Sequence, residues 1–244
     1  MHMDRRQFVK HLGLGTASLS MGSLVTASSC APSGDSSLKQ NVKEGEDGQF
    51  LFIGDDIAIA QTEYGKVQGY LLNHVYTFLG VPYGADTSGK NRFMPPQKPE
   101  PWTDVRPAVF YGNTAPQRME NRWPNNYGTF ADHWNYWDVS EDCLYLNVWT
   151  PGIADGKRRP VLVWLHGGGF TNGSGIEQDG YHGENISREG DIVFCSINHR
   201  LGPIGFSDLS GVGGEAYKDS GNVGMLDIIA ALRWVHDNIA NFGG

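Results

Sequence analysis

The 244-residue sequence has no unbroken apolar run of 18 residues, so nothing in it is expected to span a membrane. It has no basic excess: the net charge is -8, which argues against a nucleic-acid partner. No long block of like charge occurs, and no internal repeat. Cysteine is scarce, with only Cys30, Cys143 and Cys195. No Cys/His spacing resembles a metal site, HExxH is absent, and the eight histidines are scattered. No metal site is therefore expected.

What is present is ordinary for a globular protein, at 39% hydrophobic and 11% aromatic residues, and long enough for one α/β domain. Residues 1–30 read as an export signal rather than as fold. Asp4-Arg5-Arg6-Gln7-Phe8-Val9-Lys10 precedes a mildly apolar stretch, residues 12–27, and the small residues Ala27-Ser28-Ser29. The paired arginines resemble a twin-arginine signal; the alternative is a disordered basic tail. Cys30 resembles a lipid-attachment site, although Ala27 stands where such sites prefer leucine, so a lipid anchor is kept as an alternative. Export to the periplasm or the exterior follows from this reading. Residues 31–50 are polar and rich in Ser, Gly and charge, and read as a linker.

From residue 51 onward the pattern is that of folded chain. Residues 57–61 and 66–72 are two short strand-like runs with a hairpin turn at Glu63-Tyr64-Gly65, and 75–79 is a third. They predict a small antiparallel sheet at the start of the domain. Residues 82–139 form a long irregular region with Trp102, Trp123, Trp134 and Trp137. Its aromatic part, 130–137, either lines a pocket or packs on itself. Residues 144–150 alternate as a strand, and 191–197 read as a buried strand containing Cys195. Cys143 and Cys195 are candidates for a bridge, with a buried unpaired Cys195 as the alternative. Residues 222–241 read as a helix, capped by Asn222 and stopped by Gly243-Gly244. Its apolar face is predicted to carry Met225, Ile228, Ile229, Leu232, Val235 and Ile239. Strands alternating with helix and loop predict an α/β sheet.

The centre of the pattern is VLVWLHGGGF at 161–170. Five apolar residues predict a fully buried strand. His166 and three glycines follow. A backbone bare of side chains can turn its N–H groups onto a ligand. Such donors, aimed where negative charge develops, make an oxyanion hole. A plain glycine turn is the alternative.

Six segments together carry a family resemblance. They are Phe78-Leu79-Gly80-Val81-Pro82-Tyr83; Arg92-Phe93 with Pro95-Pro96 and Pro101-Trp102; EDCLYLNV at 141–148; HGGGF at 166–170; NHRLGPIGF at 198–206; and 221–244. The chain resembles the type-B carboxylesterases, which include the para-nitrobenzyl esterases and cholinesterases. The resemblance implies the α/β-hydrolase fold, here as the N-terminal part of its central mixed sheet over residues 51–244. It implies a carboxylic ester hydrolase, acting on a small-molecule ester through a serine nucleophile. The N–H groups of Gly168 and Gly169 would be two of three oxyanion donors. Arg92 with Glu141, and Arg200 with Asp227, would be buried ion pairs bracing the loops.

Three departures qualify it. The family's G-x-S-x-G elbow does not occur in the 244 residues. By family spacing its serine is expected roughly ten residues past Gly244. The chain is thus expected to be part of a longer esterase and inert alone; the rivals are a non-catalytic binding protein, and a truncated product without function. Ala115 stands where the family has the disulfide partner of Cys143, so Cys143 is expected as a free, buried thiol. His199 replaces a tyrosine and Ile228 a glutamine, with consequences expected only for local packing.

Overall fold

The computed structural model describes residues 51–118 and 138–244, which belong to one compact unit within 44–244. The expected signal and linker, and the aromatic run 130–137, lie outside the described residues.

Two sheets form the frame. The hairpin β2 (Ile59–Gln61) and β3 (Lys66–Gln68) turns at Gly65, and β6 (Arg106–Pro107) joins β3 in parallel. The larger sheet holds β1 (Leu51–Phe52), β4 (Tyr70–Leu72), β5 (Val75–Pro82), β7 (Tyr145–Thr150), β8 (Val161–Leu165) and β9 (Val193–Ile197). Its order is β1-β4-β5-β7-β9-β8, antiparallel except for the parallel pair β8/β9. The single run expected at 66–72 is two strands in two sheets. The chain changes sheet at Gly69, where a Cβ would collide with the Thr77 carbonyl.

Strands β7 and β9 are the centre. In β9 every residue is buried, and β7 is buried from Leu146 to Thr150. Contact on both faces explains why residues 191–197 lack alternation. The strand Val161–Leu165 is placed as expected but is not fully buried. Leu162 is 41% and Leu165 45% exposed, because among the described residues β8 is the outermost strand, paired with β9 on one side.

Four helices follow β8: α1 (Glu184–Gly190) between β8 and β9, then α2 (Gly202–Phe206), α3 (Ser210–Gly213) and α4 (Val223–Asn238). Helix α4 packs on the core through Val223, Asp227, Ile228, Ala231, Trp234 and Val235. Half of the expected face is found there, since Ile228, Val235 and Ile239 are buried. Met225, Ile229 and Leu232 form a second apolar stripe that stays 39–43% exposed. Asn222 occupies the cap position without a side-chain capping bond. Gly243 ends the following 3-10 turn in the left-handed conformation, as expected (φ 83°). Phe242 then packs edge-on against Phe78, with ring centroids 4.9 Å apart, and so ties the helix to β5. No described helix is long and apolar enough to cross a membrane.

Candidate active site

The glycine loop begins where β8 ends. Gly168, Gly169 and Phe170 all have positive φ, at 113°, 61° and 60°. At Gly168 this backbone is open only to glycine, because a Cβ would run into the Asn172 backbone. The loop closes on its own carbonyl. Gly168 O accepts from Thr171 N–H at 3.1 Å, Thr171 Oγ1 at 2.9 Å and Asn172 N–H at 3.3 Å. Phe170 O accepts from Gly202 N–H at 2.7 Å, which fastens the far end to α2. With the carbonyl of Gly168 turned inward, the N–H groups of Gly168 and Gly169 are left over. Both residues are exposed, and among the described residues no acceptor meets either N–H. Two such donors side by side suit a developing oxyanion.

The loop rests on buried and half-buried polar groups. Gln117 grips Gly173 at both ends of its amide, Nε2 donating to the carbonyl at 2.9 Å and Oε1 accepting the N–H at 2.8 Å. Asn198 accepts from Gly175 N–H at 2.8 Å and donates to Asn113 O at 3.0 Å. His199 lies face to face with His166, and burial pushes its imidazole below the ordinary range. Arg200 is fully buried against Asp227 in a two-point pair of 2.8 and 2.6 Å. Its Nη1 donates to Met94 O at 2.8 Å, so the pair also holds the segment around residues 92–96.

The structure thus brings together most of what the sequence marked. Gly168 and Gly169 are adjacent, free and exposed. Arg200–Asp227 is buried as expected. Arg92–Glu141 forms as expected, through two contacts of 2.6 Å, but the Arg92 side chain is 48% exposed; its pair lies at the surface rather than within the scaffold. Cys143 and Cys195 are both buried and unpaired. Cys195 sits opposite Val148 and Val163 in the sheet, out of bridging register with residue 143.

Three features were missed. Gln117 stood in a stretch read only for its lost cysteine. His199 was read as a packing change, although it sits directly under the loop. Arg159 belongs to none of the segments singled out in the sequence. It is buried, and bonds Asp155, Asp191 and the Gly152 carbonyl. A basic residue immediately before Pro160 and the β8 run was the available signal. Among the described residues no group of three His, Cys, Asp or Glu is placed to hold a metal ion.

The model of the "Carboxylesterase family" matches residues 56–244. The chain is similar to phenmedipham hydrolase of Pseudarthrobacter oxydans, 45% identical over 186 residues, covering 76% of this chain and 35% of that protein. It is similar to para-nitrobenzyl esterase of Bacillus subtilis (strain 168), 42% identical over 189 residues, covering 76% and 36%. Among solved structures it resembles an esterase from Clostridium hathewayi described as hydrolysing aliphatic aromatic polyesters. There the TM-score is 0.73 at 41% identity, over 80% of this chain and 37% of that one. It also resembles a Geobacillus stearothermophilus carboxylesterase, with TM-score 0.67 at 41% identity over 77% and 35%. The fold is that of the α/β-hydrolases. The chain spans about a third of the length of the curated relatives it matches, 35% and 36%.

Proposed function

The chain belongs to the carboxylesterase family, and from that premise we propose that it supplies the oxyanion-binding part of a serine-dependent carboxylic ester hydrolase. The observation that carries this is the pair of exposed, unaccepted N–H groups at Gly168 and Gly169. A binding surface has no need of two adjacent donors held in a left-handed turn.

In this reading a serine attacks the carbonyl carbon of a small-molecule ester. The carbonyl oxygen takes up the electron pair. Gly168 and Gly169 N–H hold that oxyanion, together with the N–H that follows the serine. A histidine takes the serine proton and returns it to the departing alkoxide, while an acidic residue orients it. Water then releases the acyl group. The serine, histidine and acid are supplied by chain other than these 244 residues, which contain no G-x-S-x-G. The chemistry calls for no cofactor. Residues 1–30 direct export, with Cys30 as an alternative point of lipid attachment.

The test is esterase activity of the protein at the length the cell produces. Release of p-nitrophenol from p-nitrophenyl acetate, abolished by a fluorophosphonate, is the expected result. Tight ester binding without turnover would transfer the protein to the non-catalytic relatives. Fluorophosphonate-sensitive turnover by the isolated 244-residue chain would show that the nucleophile has been misplaced.

A further inference from the structure

His199 makes no contact with substrate in the proposed reaction, yet its ring lies beneath the loop that does. The imidazoles of His166 and His199 stack with centroids 4.9 Å apart and planes 12° from parallel. Both residues are buried, at 9% and 3% exposure. Each Nδ1 meets a backbone carbonyl, His166 that of Gly167 at 2.8 Å and His199 that of Arg200 at 2.9 Å. A carbonyl oxygen only accepts, so each Nδ1 carries the hydrogen. Arg200 is itself held by Asp227, through its N–H as well as its guanidinium. The His199 ring is therefore fixed to the buried ion pair, and the His166 ring lies on it.

The bond from His166 also aims an oxyanion donor. The Gly167 carbonyl and the Gly168 N–H belong to one peptide unit. That unit is planar and trans, so the two groups point in opposite directions. Holding the carbonyl turns the N–H away from His166. Gly167 is exposed, and a Cβ there would meet nothing within 4 Å, so packing at Gly167 itself does little to stop the peptide plane from rotating.

We propose that His199 is a positioning residue for the oxyanion loop: its ring carries the ring of His166, which holds the Gly167 carbonyl and so aims the Gly168 N–H. The effect on rate rests on the ester-hydrolase reading; the effect on geometry does not. A flat ring is what position 199 needs under His166, and a side chain of similar bulk without a ring should not serve.

Three variants of the protein at its cellular length test this, His199→Phe, His199→Leu and His199→Ala. Glycine-labelled NMR follows the Gly168 amide, and a second label follows the His166 Nδ1 proton. His199→Phe keeps the flat ring but loses the Nδ1 bond to the Arg200 carbonyl, so it is expected to hold both signals closer to their native positions, and to retain more of the kcat on p-nitrophenyl acetate, than His199→Leu does. His199→Leu and His199→Ala are expected to shift the Gly168 amide and expose the His166 proton to exchange. Their kcat should drop roughly ten- to a hundredfold with little change in KM, as for a small misplacement of a catalytic group. If His199→Ala does not fold, the contrast between Leu and Phe decides. A Gly168 amide and a kcat both unmoved by His199→Leu would overturn the proposal. The amide signal needs no turnover. An amide that responds in a protein without esterase activity upholds the positioning role and refutes the hydrolase reading, and an amide that stays put in an active enzyme does the reverse.

Discussion

Arg200 and Asp227 bond each other through two parallel contacts with no exposure of either side chain, and the same Asp227 oxygen also accepts the Arg200 backbone N–H at 3.0 Å. Asp227 sits on the buried face of α4, while Arg200 lies in the turn after β9. The pair therefore joins the long helix to the loop under the active site. Its gross attraction is largely offset by the cost of burying two charges, but breaking it leaves one charge uncompensated. Asp227→Asn is expected to lower stability by about 3–5 kcal/mol, read from urea denaturation. Arg92→Gln, at the half-exposed pair with Glu141, should leave the midpoint nearly where it was. Equal effects of the two substitutions would mean that burial does not set the worth of these pairs.

The two thiols of the sheet region should be chemically silent. Burial raises the Cys143 thiol far above its ordinary range, and pushes that of Cys195 up to about 12. The thiolate is the reactive species, so neither forms it near neutrality. A chromogenic disulfide reagent at pH 8 is expected to leave both untouched in the native 244-residue chain, and to modify both once the chain is denatured. A denatured chain in which neither reacts would reveal a Cys143–Cys195 bridge.

Arg159, just before β8, ties together two carboxylates that should make the fold sensitive to acid. It bonds Asp155 at i−4 and reaches Asp191, whose left-handed backbone (φ 46°) caps α1. Hydrogen bonding to Arg159 is the main cause that lowers Asp155 to about 2, and it lowers Asp191 as well; Lys157 assists at both. A carboxylate with a lowered folded value adds stability above its unfolded value near 3.8. That stability is lost as pH falls toward the folded value. The melting temperature is expected to drop between about pH 4 and pH 2, and the slope to flatten in Arg159→Met. An unchanged slope would assign the acid sensitivity to other carboxylates.

Some of this was legible in the residues and some was not, for identifiable reasons. The hairpin at Gly65, strands β5, β7, β8 and β9 of the large sheet and the glycine loop follow from runs and breakers that act locally. The exposure of β8 does not. An apolar run such as VLVWL records that a strand is made to be covered, and reads alike for a central strand and for one at the sheet edge. Helix α4 shows the same limit. Met225, Ile229 and Leu232 have helical spacing, so hydropathy favours them. The face that packs instead contains Gly224, Asp227 and Ala231, chosen by close approach and by charge pairing, which periodicity does not register. The split at Gly69 needed knowledge of the Thr77 carbonyl across the sheet. His199 and Gln117 needed the fold itself, because each acts on a residue 33 or 56 positions away.

The sharpest consequence concerns the two glycines themselves, which look alike in the sequence and differ in space. Gly168 has φ 113°, and a Cβ would strike the Asn172 backbone. Gly169 has φ 61°, and a Cβ there would meet nothing within 4 Å. An alanine at 169 suffers only the left-handed backbone penalty, about 1–2 kcal/mol. An alanine at 168 suffers backbone strain and a collision that must push the Thr171–Gly173 segment aside. Gly168→Ala is therefore expected to be the more destabilising change, and to move the bonds from Thr171 and Asn172 that fold the loop. In the protein at cellular length, Gly168→Ala should reduce kcat roughly a hundred- to a thousandfold, the loss of one oxyanion donor. Gly169→Ala should keep much of the activity, since its N–H can stay where it is. Paired thermal melts and p-nitrophenyl acetate kinetics on the two variants separate these effects. Equal losses of rate with unequal losses of stability would show that the two N–H groups share the oxyanion evenly. Full activity in Gly168→Ala would remove that N–H from the site.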